Sequence, residues 1–285
     1  MPRLSIRSLK KMYVTLIVGA VSGLVSIGVH AADESKQLLV GGTGSALCTM
    51  QKLADGFEKA NPEIQVKVLQ SLGSGGGIKA LMAGRLTVSV SSRPLTESEI
   101  LNGLLSQEIA RTPFVFAVHS KTPASNMTLG QVAAMYAGKT KTWSDGTTVR
   151  PVLRPISDID TDTVRKMSAE LDQAIQSAHQ REGKNIAITD TDAADELERI
   201  PGSIGTSALA LIACEERRVK VLKVNGIEPN KLNLVNIQYP HMKSIYLIVN
   251  KNAPSIAQKF VKYINSTAGS KIIMSNGNLA SASSK

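Results

Sequence analysis

The sequence predicts an α/β fold in which helices pack on a parallel or mixed sheet. Short apolar or alternating runs, typical of strands, are followed by glycine-serine turns and then by apolar residues at helical spacing. This unit occurs twice between residues 36 and 90. Two strongly apolar runs, 113–118 and 244–249, bracket the middle of the chain. Such bracketing is expected when a chain leaves one lobe, builds a second and returns to the first.

Each element follows from its hydrophobic period or from a chain-breaking residue. Asn61–Pro62 ends the first helix, because the residue before a proline is pushed out of the helical region, and Gly84 ends the second. The predicted strands cover 36–40, 64–69, 86–90, 113–118, 149–153, 219–224 and 244–249, with a small-residue strand or turn over 203–212. The helices begin near Leu47 and Ile78 in the first two units and then cover 129–137, 161–181, 193–199, 256–264 and 269–274.

Residues 1–31 are predicted to be a secretory signal peptide. Four basic residues open the chain, residues 12–29 are apolar, and Val29-His30-Ala31 forms a small-residue cleavage site. A transmembrane anchor is the alternative, because the apolar run is just long enough to cross a bilayer. The glycine and serine content of the run favours cleavage, so the mature chain is expected to be periplasmic or otherwise exported.

The charge balance favours a small anionic ligand over nucleic acid. Residues 1–31 carry four of the 33 Lys and Arg and none of the 23 Asp and Glu, so the formal net charge falls from +10 to +6 without them. Aromatic residues make up only 4% of the sequence, and they do not interleave with a basic stripe as in nucleic-acid-binding surfaces. No His, Cys or Asp cluster has the spacing of a metal site, so neither a metal nor another cofactor is expected.

Three turns at one predicted sheet edge offer hydrogen-bond donors. A helix that begins in a glycine-serine turn leaves its first backbone N–H groups unpaired, at the positive end of the helix dipole. Gly44–Leu47 and Gly73–Gly77 are two such beginnings, and Ser91–Arg93 adds hydroxyls and a guanidinium after the next strand. Together they predict an anion site. The alternative is that all three segments are ordinary loops.

These same turns resemble the periplasmic phosphate-binding proteins of ABC transporters. The resemblance rests on Gly42-Thr-Gly-Ser-Ala46, Gly73-Ser-Gly-Gly-Gly-Ile-Lys-Ala-Leu81 and Ser91-Ser-Arg-Pro-Leu95, in this order and spacing. It extends over nearly all of the mature chain through Met135–Lys139 with Trp143, Val152–Arg154, Pro201–Gly205, Tyr239–Pro240 and Ala268–Ile273.

The resemblance implies a hinged, two-lobed periplasmic-binding-protein fold of type II-like architecture. Each lobe is then a mixed sheet flanked by helices, with the ligand in the cleft between the lobes. Lobe 1 is expected to comprise residues 32–117 and 241–285, and lobe 2 the inserted residues 118–240. The implied function is capture of phosphate or a phosphate-like oxyanion and its delivery to an ABC permease in the membrane. The protein is expected to be a monomer, not an enzyme.

Four ligand donors are implied by the resemblance: Ser45, the Ala46 backbone N–H, Ser74 and Arg154. Arg154 follows a predicted strand on the second lobe, where the alternative is an ion pair with a nearby aspartate. The candidate ligand-binding set is completed by Gly75, Ser91, Ser92, Arg93, Ser157, Asp158 and Thr161.

The chain departs from the family pattern at two places. Ser92 stands where members that bind phosphate tightly often carry an aspartate, and Ser157-Asp-Ile-Asp-Thr161 replaces a Gly-Ser-Gly-Thr loop. Carboxylates aimed at a dianion are unfavourable unless protonated or turned away. Asp160 or Asp162 then only caps the next helix, leaving Ser157 and Thr161 as donors. Otherwise the ligand presents a donor or cationic part to Asp158 or Asp160, or the cleft has lost phosphate binding.

The two cysteines, Cys48 and Cys214, bear on the rival functions. After export they either form a disulfide or remain two buried thiols. A thiol-dependent periplasmic enzyme would use Cys48 as the nucleophile, because a helix N-terminus lowers a thiol pKa, with His119 or His241 as base. A binding, sensor or scavenger module without a transport role is the other alternative, because its cleft chemistry would be the same.

Overall fold

Strands and helices alternate along residues 36–281, the part of the chain that the computed structural model describes. The predicted signal peptide over 1–31 lies outside the described residues. The strands are β1 (Gln37–Gly42), β2 (Gln65–Val68), β3 (Val88–Ser91), β4 (Leu104–His119), β5 (Asn126–Met127), β6 (Arg150–Leu153), β7 (Asn185–Ile186), β8 (Ser203–Ala208), β9 (Val219–Val221), β10 (Lys223–Val224), β11 (Met242–Asn250) and β12 (Leu279–Ala280). The helices are α1 (Gly44–Ala60), α2 (Gly73–Met82), α3 (Glu97–Leu101), α4 (Leu129–Tyr136), α5 (Ile159–Arg165), α6 (Ala169–Gln180), α7 (Asp190–Arg199), α8 (Leu209–Cys214), α9 (Lys231–Val235), α10 (Ser255–Ile264) and α11 (Thr267–Ser275).

The main sheet is mixed, as the sequence predicts. Its strands lie in the order β2, β1, β3, β11, β4, β8, β6, β7. β1 pairs in parallel with β2 and β3, whereas β11 runs antiparallel to both β3 and β4. Because β1 and β3 are parallel neighbours, their carboxyl ends lie at the same edge of the sheet. The turns that follow these two strands therefore meet, and the candidate site lies there.

One long strand, β4, connects the two halves of the sheet. Its residues from Leu104 to Pro113 pair with β11, and those from Phe114 to Val118 pair with β8. The sequence predicts only 113–118, because the first half carries Ser106, Gln107 and Glu108 and has no continuous apolar run. The same backbone thus runs from one set of elements into the other without a break.

The buried apolar side chains form separate clusters on the two sides of this strand. The largest includes Leu38, Phe57 and Phe260 and draws on residues between 38 and 110 and between 245 and 273. The second includes Phe116 and Leu171 and draws on residues between 114 and 239. This division runs in the same sense as the two predicted lobes. The lobe bounds themselves, 32–117 with 241–285 and 118–240, stay a prediction.

Three predicted elements are wrong in their continuity. The single helix over 161–181 is two helices, α5 and α6, because the Ser168 side chain accepts a hydrogen bond from the Leu171 N–H and starts a new helix. The small-residue segment over 203–212 is strand β8 followed directly by helix α8. The strand predicted over 219–224 is two strands, β9 and β10, which belong to different sheets.

Cys48 and Cys214 form a disulfide that joins helix α1 to helix α8, across 166 residues of sequence. Helix α8 directly follows β8, so the bond ties the helix that follows β1 to an element at the far side of β4. None of the helices within residues 36–281 combines the length and the apolar character needed to cross a bilayer.

Removing this disulfide should lower the free energy of unfolding by about 2–5 kcal/mol, because the bond restricts a long loop of the unfolded chain. Urea unfolding of the mature protein and of a Cys48→Ala, Cys214→Ala double variant measures the difference. Dithiothreitol should destabilise the wild type and leave the double variant unchanged. Equal free energies of unfolding of the two proteins without a reducing agent would contradict the expectation.

Candidate anion-binding site

Three buried hydroxyls form a cluster where β1 and β3 end. Thr43 lies between β1 and α1, Ser45 is in the first turn of α1, and Ser92 follows β3. Their oxygens lie 2.9 Å (Thr43–Ser45), 3.0 Å (Thr43–Ser92) and 3.1 Å (Ser45–Ser92) apart. The Thr43 side chain makes no capping bond to α1, so it is available for this cluster.

Close approach of the two strand ends requires Gly42. Its φ is +137°, and a Cβ added there would lie 2.0 Å from the Val90 carbonyl oxygen. The Thr43 N–H donates to that same oxygen at 2.9 Å, which fixes the turn against β3. A side chain at position 42 would therefore push Thr43 away from Ser92.

Helix α2 contributes to the same cluster through Ser74. The Ser92 N–H donates to the Ser74 hydroxyl oxygen at 2.9 Å. A Cβ on Gly77 would lie 2.6 Å from the Gly42 Cα, so the glycine run lets α2 pack directly on the end of β1. The Gly73–Gly77 run therefore serves helix packing in addition to placing Ser74.

Arg154 approaches the hydroxyl cluster from the other set of elements. It follows β6 and is buried. One terminal nitrogen donates to the Ala187 carbonyl at 3.0 Å, and the other to an Asp158 carboxylate oxygen at 2.9 Å. That second nitrogen also lies 3.9 Å from Asp190 Oδ2. The predicted alternative, an ion pair with a nearby aspartate, is thus present, because Asp158 is held by Arg154.

Asp190, the first residue of α7, links the hydroxyls to the cations. Thr43 Oγ1 donates to Asp190 Oδ2 at 3.0 Å, and the Lys243 ammonium donates to Oδ1. Lys243 lies on β11, is 5% exposed, and also pairs with Asp160 at 2.6 Å. Two buried cations and two buried carboxylates therefore form one network against the hydroxyl cluster.

The network perturbs the acidities of its members. Burial raises the pKa of Asp160 to about 6, and the Asp190 and Asp158 carboxylates act in the same direction against Lys243 and Arg154. Burial also acts to raise the pKa of Asp190, but Lys243 and Arg154 outweigh it and hold that pKa at about 2. Burial acts to lower the pKa of Lys243, but Asp160 and Asp190 outweigh it and raise that pKa. Asp190 is accordingly a carboxylate throughout the neutral range.

Several predicted donors are engaged within their own turns. Ser91 Oγ donates to the Arg93 carbonyl at 2.8 Å, and the Ala46 N–H donates to the Thr43 carbonyl at 3.2 Å. Thr161 Oγ1 donates to the Arg154 and Pro155 carbonyls. Direct contact of Ser91, Ala46 and Thr161 with a ligand stays a prediction. Each donor would first have to break its hydrogen bond to the backbone carbonyl.

Arg93 and the 157–161 segment lie at an outer groove. Arg93 forms a two-pronged ion pair with Glu99, at 2.8 and 2.7 Å. Asp158, not Asp160 or Asp162, caps helix α5, through a bond from the Asp160 N–H at 2.9 Å. The expectation that Asp160 or Asp162 acts as the cap is therefore wrong. The groove has a volume of about 640 Å³, and its lining includes Ser74, Gly75, Arg93, Ser157 and Asp158.

Sequence reasoning missed Asp190 and Lys243 as members of the site. A signal for Lys243 was present, since it alternates with Ile245 and Leu247 on the buried face of an apolar strand. Asp190 gave no such signal, because acidic residues are common in the first turn of a helix. The α7 capping box uses Thr189 and Asp192, which leaves the Asp190 side chain for the network.

The thiol-enzyme alternative is wrong for Cys48, because its sulfur is bonded to Cys214 and no free cysteine remains in the described residues. Among residues 36–281, no group of three or more His, Cys, Asp or Glu side chains is arranged to hold a metal ion. The candidate site offers hydrogen bonding and charge pairing.

Comparison with known proteins places the chain in a specific group. A sequence model described as a PBP superfamily domain matches residues 28–268. The phosphate-binding protein PstS 2 of Streptococcus agalactiae is 28% identical over 116 residues, which cover 41% of this chain and only 39% of that relative. The phosphate-binding protein PstS of Bacillus subtilis is 22% identical over 248 residues, covering 85% and 79% of the two chains. A candidate phosphate ABC transporter substrate-binding protein from Clostridium perfringens, solved with bound phosphate, superposes with a TM-score of 0.73 at 20% identity, covering 86% and 99%. This likeness shows a shared two-lobed fold.

Replacing Asp160 with asparagine should remove a pH dependence of stability. An aspartate titrates near 3.9 in an unfolded chain and Asp160 near 6 in the folded one. Between these values the folded protein binds more protons, so this group stabilises it as the pH falls. From pH 7 to about 4, the wild type should gain about 2–3 kcal/mol relative to Asp160→Asn.

Urea unfolding at several pH values measures this difference, with the half-buried Asp162→Asn as the matched control on the same helix. Asp190 stays ionised over the window, and its contribution is lost only as the pH falls towards 2. A difference between wild type and Asp160→Asn that is constant with pH would contradict the expectation.

Proposed function

The chain belongs to the PBP superfamily, and on that premise we propose that it is an exported solute-binding protein that captures phosphate or a phosphate-like oxyanion. The anion is held between two lobes and delivered to an ABC importer in the membrane. The protein acts as a monomeric binding protein without catalysis or cofactor. The names of the relatives support phosphate as the first ligand to test.

One observation carries this proposal. Thr43 Oγ1 donates to Asp190 Oδ2, which also lies 3.9 Å from a terminal nitrogen of Arg154. The other oxygen of the same carboxylate, Oδ1, accepts a hydrogen bond from Lys243. An anionic group therefore already bonds the Thr43 hydroxyl of the cluster and lies beside two buried cations. Charge-assisted hydrogen bonds are strong in such desolvated surroundings. A tetrahedral oxyanion has four oxygens that can use the same hydroxyls and the arginine fork.

The placement of the donors suggests how binding closes the lobes. Thr43, Ser45 and Ser92 lie at the ends of β1 and β3, whereas Arg154 follows β6 on the other side of β4. An anion bonded to both sets has its full complement of donors only when the two sides are together. Binding energy then favours the closed arrangement, as in other hinged ligand-binding proteins.

Among the proposed ligand-binding residues, Arg154 is expected to contribute the largest share of the binding free energy. The residue is 4% exposed and its guanidinium is fixed by Ala187 and Asp158, so little conformational freedom remains to be lost on binding. Ser74 acts one step away, because it holds the Ser92 backbone. Gly75, Arg93 and Ser157 line the outer groove and are proposed to meet the anion on its way in. Asp158 lines the same groove, and its role is to hold the Arg154 guanidinium in place.

Calorimetric titration of the mature protein with inorganic phosphate tests the proposal. We expect saturable binding of one phosphate per chain. Ser45→Ala should weaken it about 10- to 100-fold, because a hydrogen bond to a charged group contributes about 1.5–3 kcal/mol. The exposed Ser275→Ala is the matched control and should bind as the wild type does. Absence of saturable phosphate binding by the folded wild type would refute the proposed ligand.

A further inference from the structure

We propose that Asp190 is an internal competitor for the anion site: its carboxylate occupies the position that the ligand takes, and phosphate binds by displacing it. This inference rests on the proposed function. Asp190 then sets the affinity of the site for phosphate. It also holds the two sides of β4 together in a closed form before any ligand binds.

The contacts of Asp190 are those expected of the ligand. Its two oxygens meet, between them, a hydroxyl of the β1 turn and two buried cations, Lys243 and Arg154. Asp190 is 4% exposed. It lies on α7, which contacts β6 and β8, whereas the Thr43 hydroxyl that it meets follows β1, on the opposite side of β4. It thus joins the two sides of the cleft as a bound anion would.

The charge balance excludes both anions from the site together. Arg154 and Lys243 already face the carboxylates of Asp158, Asp160 and Asp190. Adding a phosphate dianion beside all three would bury a large excess of negative charge, which is strongly unfavourable in a poorly hydrated site. Withdrawal of Asp190 removes one negative charge and frees the Thr43 hydroxyl. It leaves Arg154 paired only with Asp158 and Lys243 paired only with Asp160, so each cation has a smaller share of negative charge and can face phosphate.

Asp190 is free to withdraw without unwinding its helix. The first turn of α7 is capped by Thr189 and Asp192, whose reciprocal bonds measure 2.9 and 3.2 Å. Helix α7 also meets the start of α1 closely, since a Cβ added to Gly44 would lie 3.1 Å from the Asp190 Cβ. A small separation of the two helix starts therefore takes the carboxylate away from Thr43.

The test compares phosphate affinities of wild type and Asp190→Asn by calorimetry at pH 7. Asparagine keeps the shape and removes the charge, so the variant should bind phosphate at least about tenfold more tightly, because the competing anion is gone. The matched control is Asp195→Asn on the same helix, an exposed residue that pairs with Arg217. It makes the same change in net charge and should bind as the wild type does.

Equal or weaker binding by Asp190→Asn, with measurable binding by the wild type, would overturn the inference and leave the proposed function standing. If none of the three proteins binds phosphate, the proposed function fails, and competition for phosphate fails with it. Small-angle X-ray scattering then tests the remaining claim, that Asp190 holds the two sides together. Without phosphate, the wild type should have the radius of gyration expected when Asp190 bridges the two sides, and Asp190→Asn a larger one.

The wild-type scattering measurement also covers the case in which Asp190→Asn does not fold. A wild type that is already closed should keep its radius of gyration when phosphate is added. A clear decrease on addition of phosphate would show that Asp190 does not hold the lobes together, and would overturn the inference.

Discussion

The buried charges of Arg154 and Lys243 are the constraint on which the rest of this structure depends. Cations removed from water require partners, because an unpaired buried charge costs several kilocalories per mole. Asp158 and Asp160 at the start of α5 and Asp190 at the start of α7 supply those partners, and β11 carries the lysine between them. The relative positions of α5, α7 and β11 are therefore tied together by charge compensation, in addition to the apolar packing behind them.

The hydroxyl side of the site depends on glycine in the same way that the charged side depends on pairing. Gly42 lets the end of β1 meet β3, Gly77 lets α2 meet β1, and Gly44 lets α1 meet α7. Each close approach brings a polar group of one element to a polar group of another. The glycine-rich turns therefore act first as packing devices, and the hydrogen-bonding site is the consequence. The disulfide between Cys48 and Cys214 ties helix α1 to helix α8 as well.

The sequence predicts much of the fold because most helices and strands are determined by residues close together in the chain. The strand–turn–helix units, the glycine turns and the two apolar strands were all visible as hydrophobic periods and chain breaks. Within the site, Ser45, Ser74 and Ser92 could be found for the same reason, since they stand in those turns. Asp190 and Lys243 could not be found with equal ease, because their role arises from contacts between elements far apart in sequence. Arg93 shows the converse: a guanidinium at a promising position is held by Glu99, six residues later, and only the folded arrangement reveals it.

A crystal structure of the mature protein grown with arsenate, a tetrahedral oxyanion with an anomalous scatterer, tests the central claim most directly. The account predicts one buried anomalous peak within hydrogen-bond reach of Thr43, Ser45, Ser92 and Arg154, with the Asp190 carboxylate withdrawn from Thr43. A peak confined to the outer groove at Arg93, with Asp190 still bonded to Thr43, would contradict it.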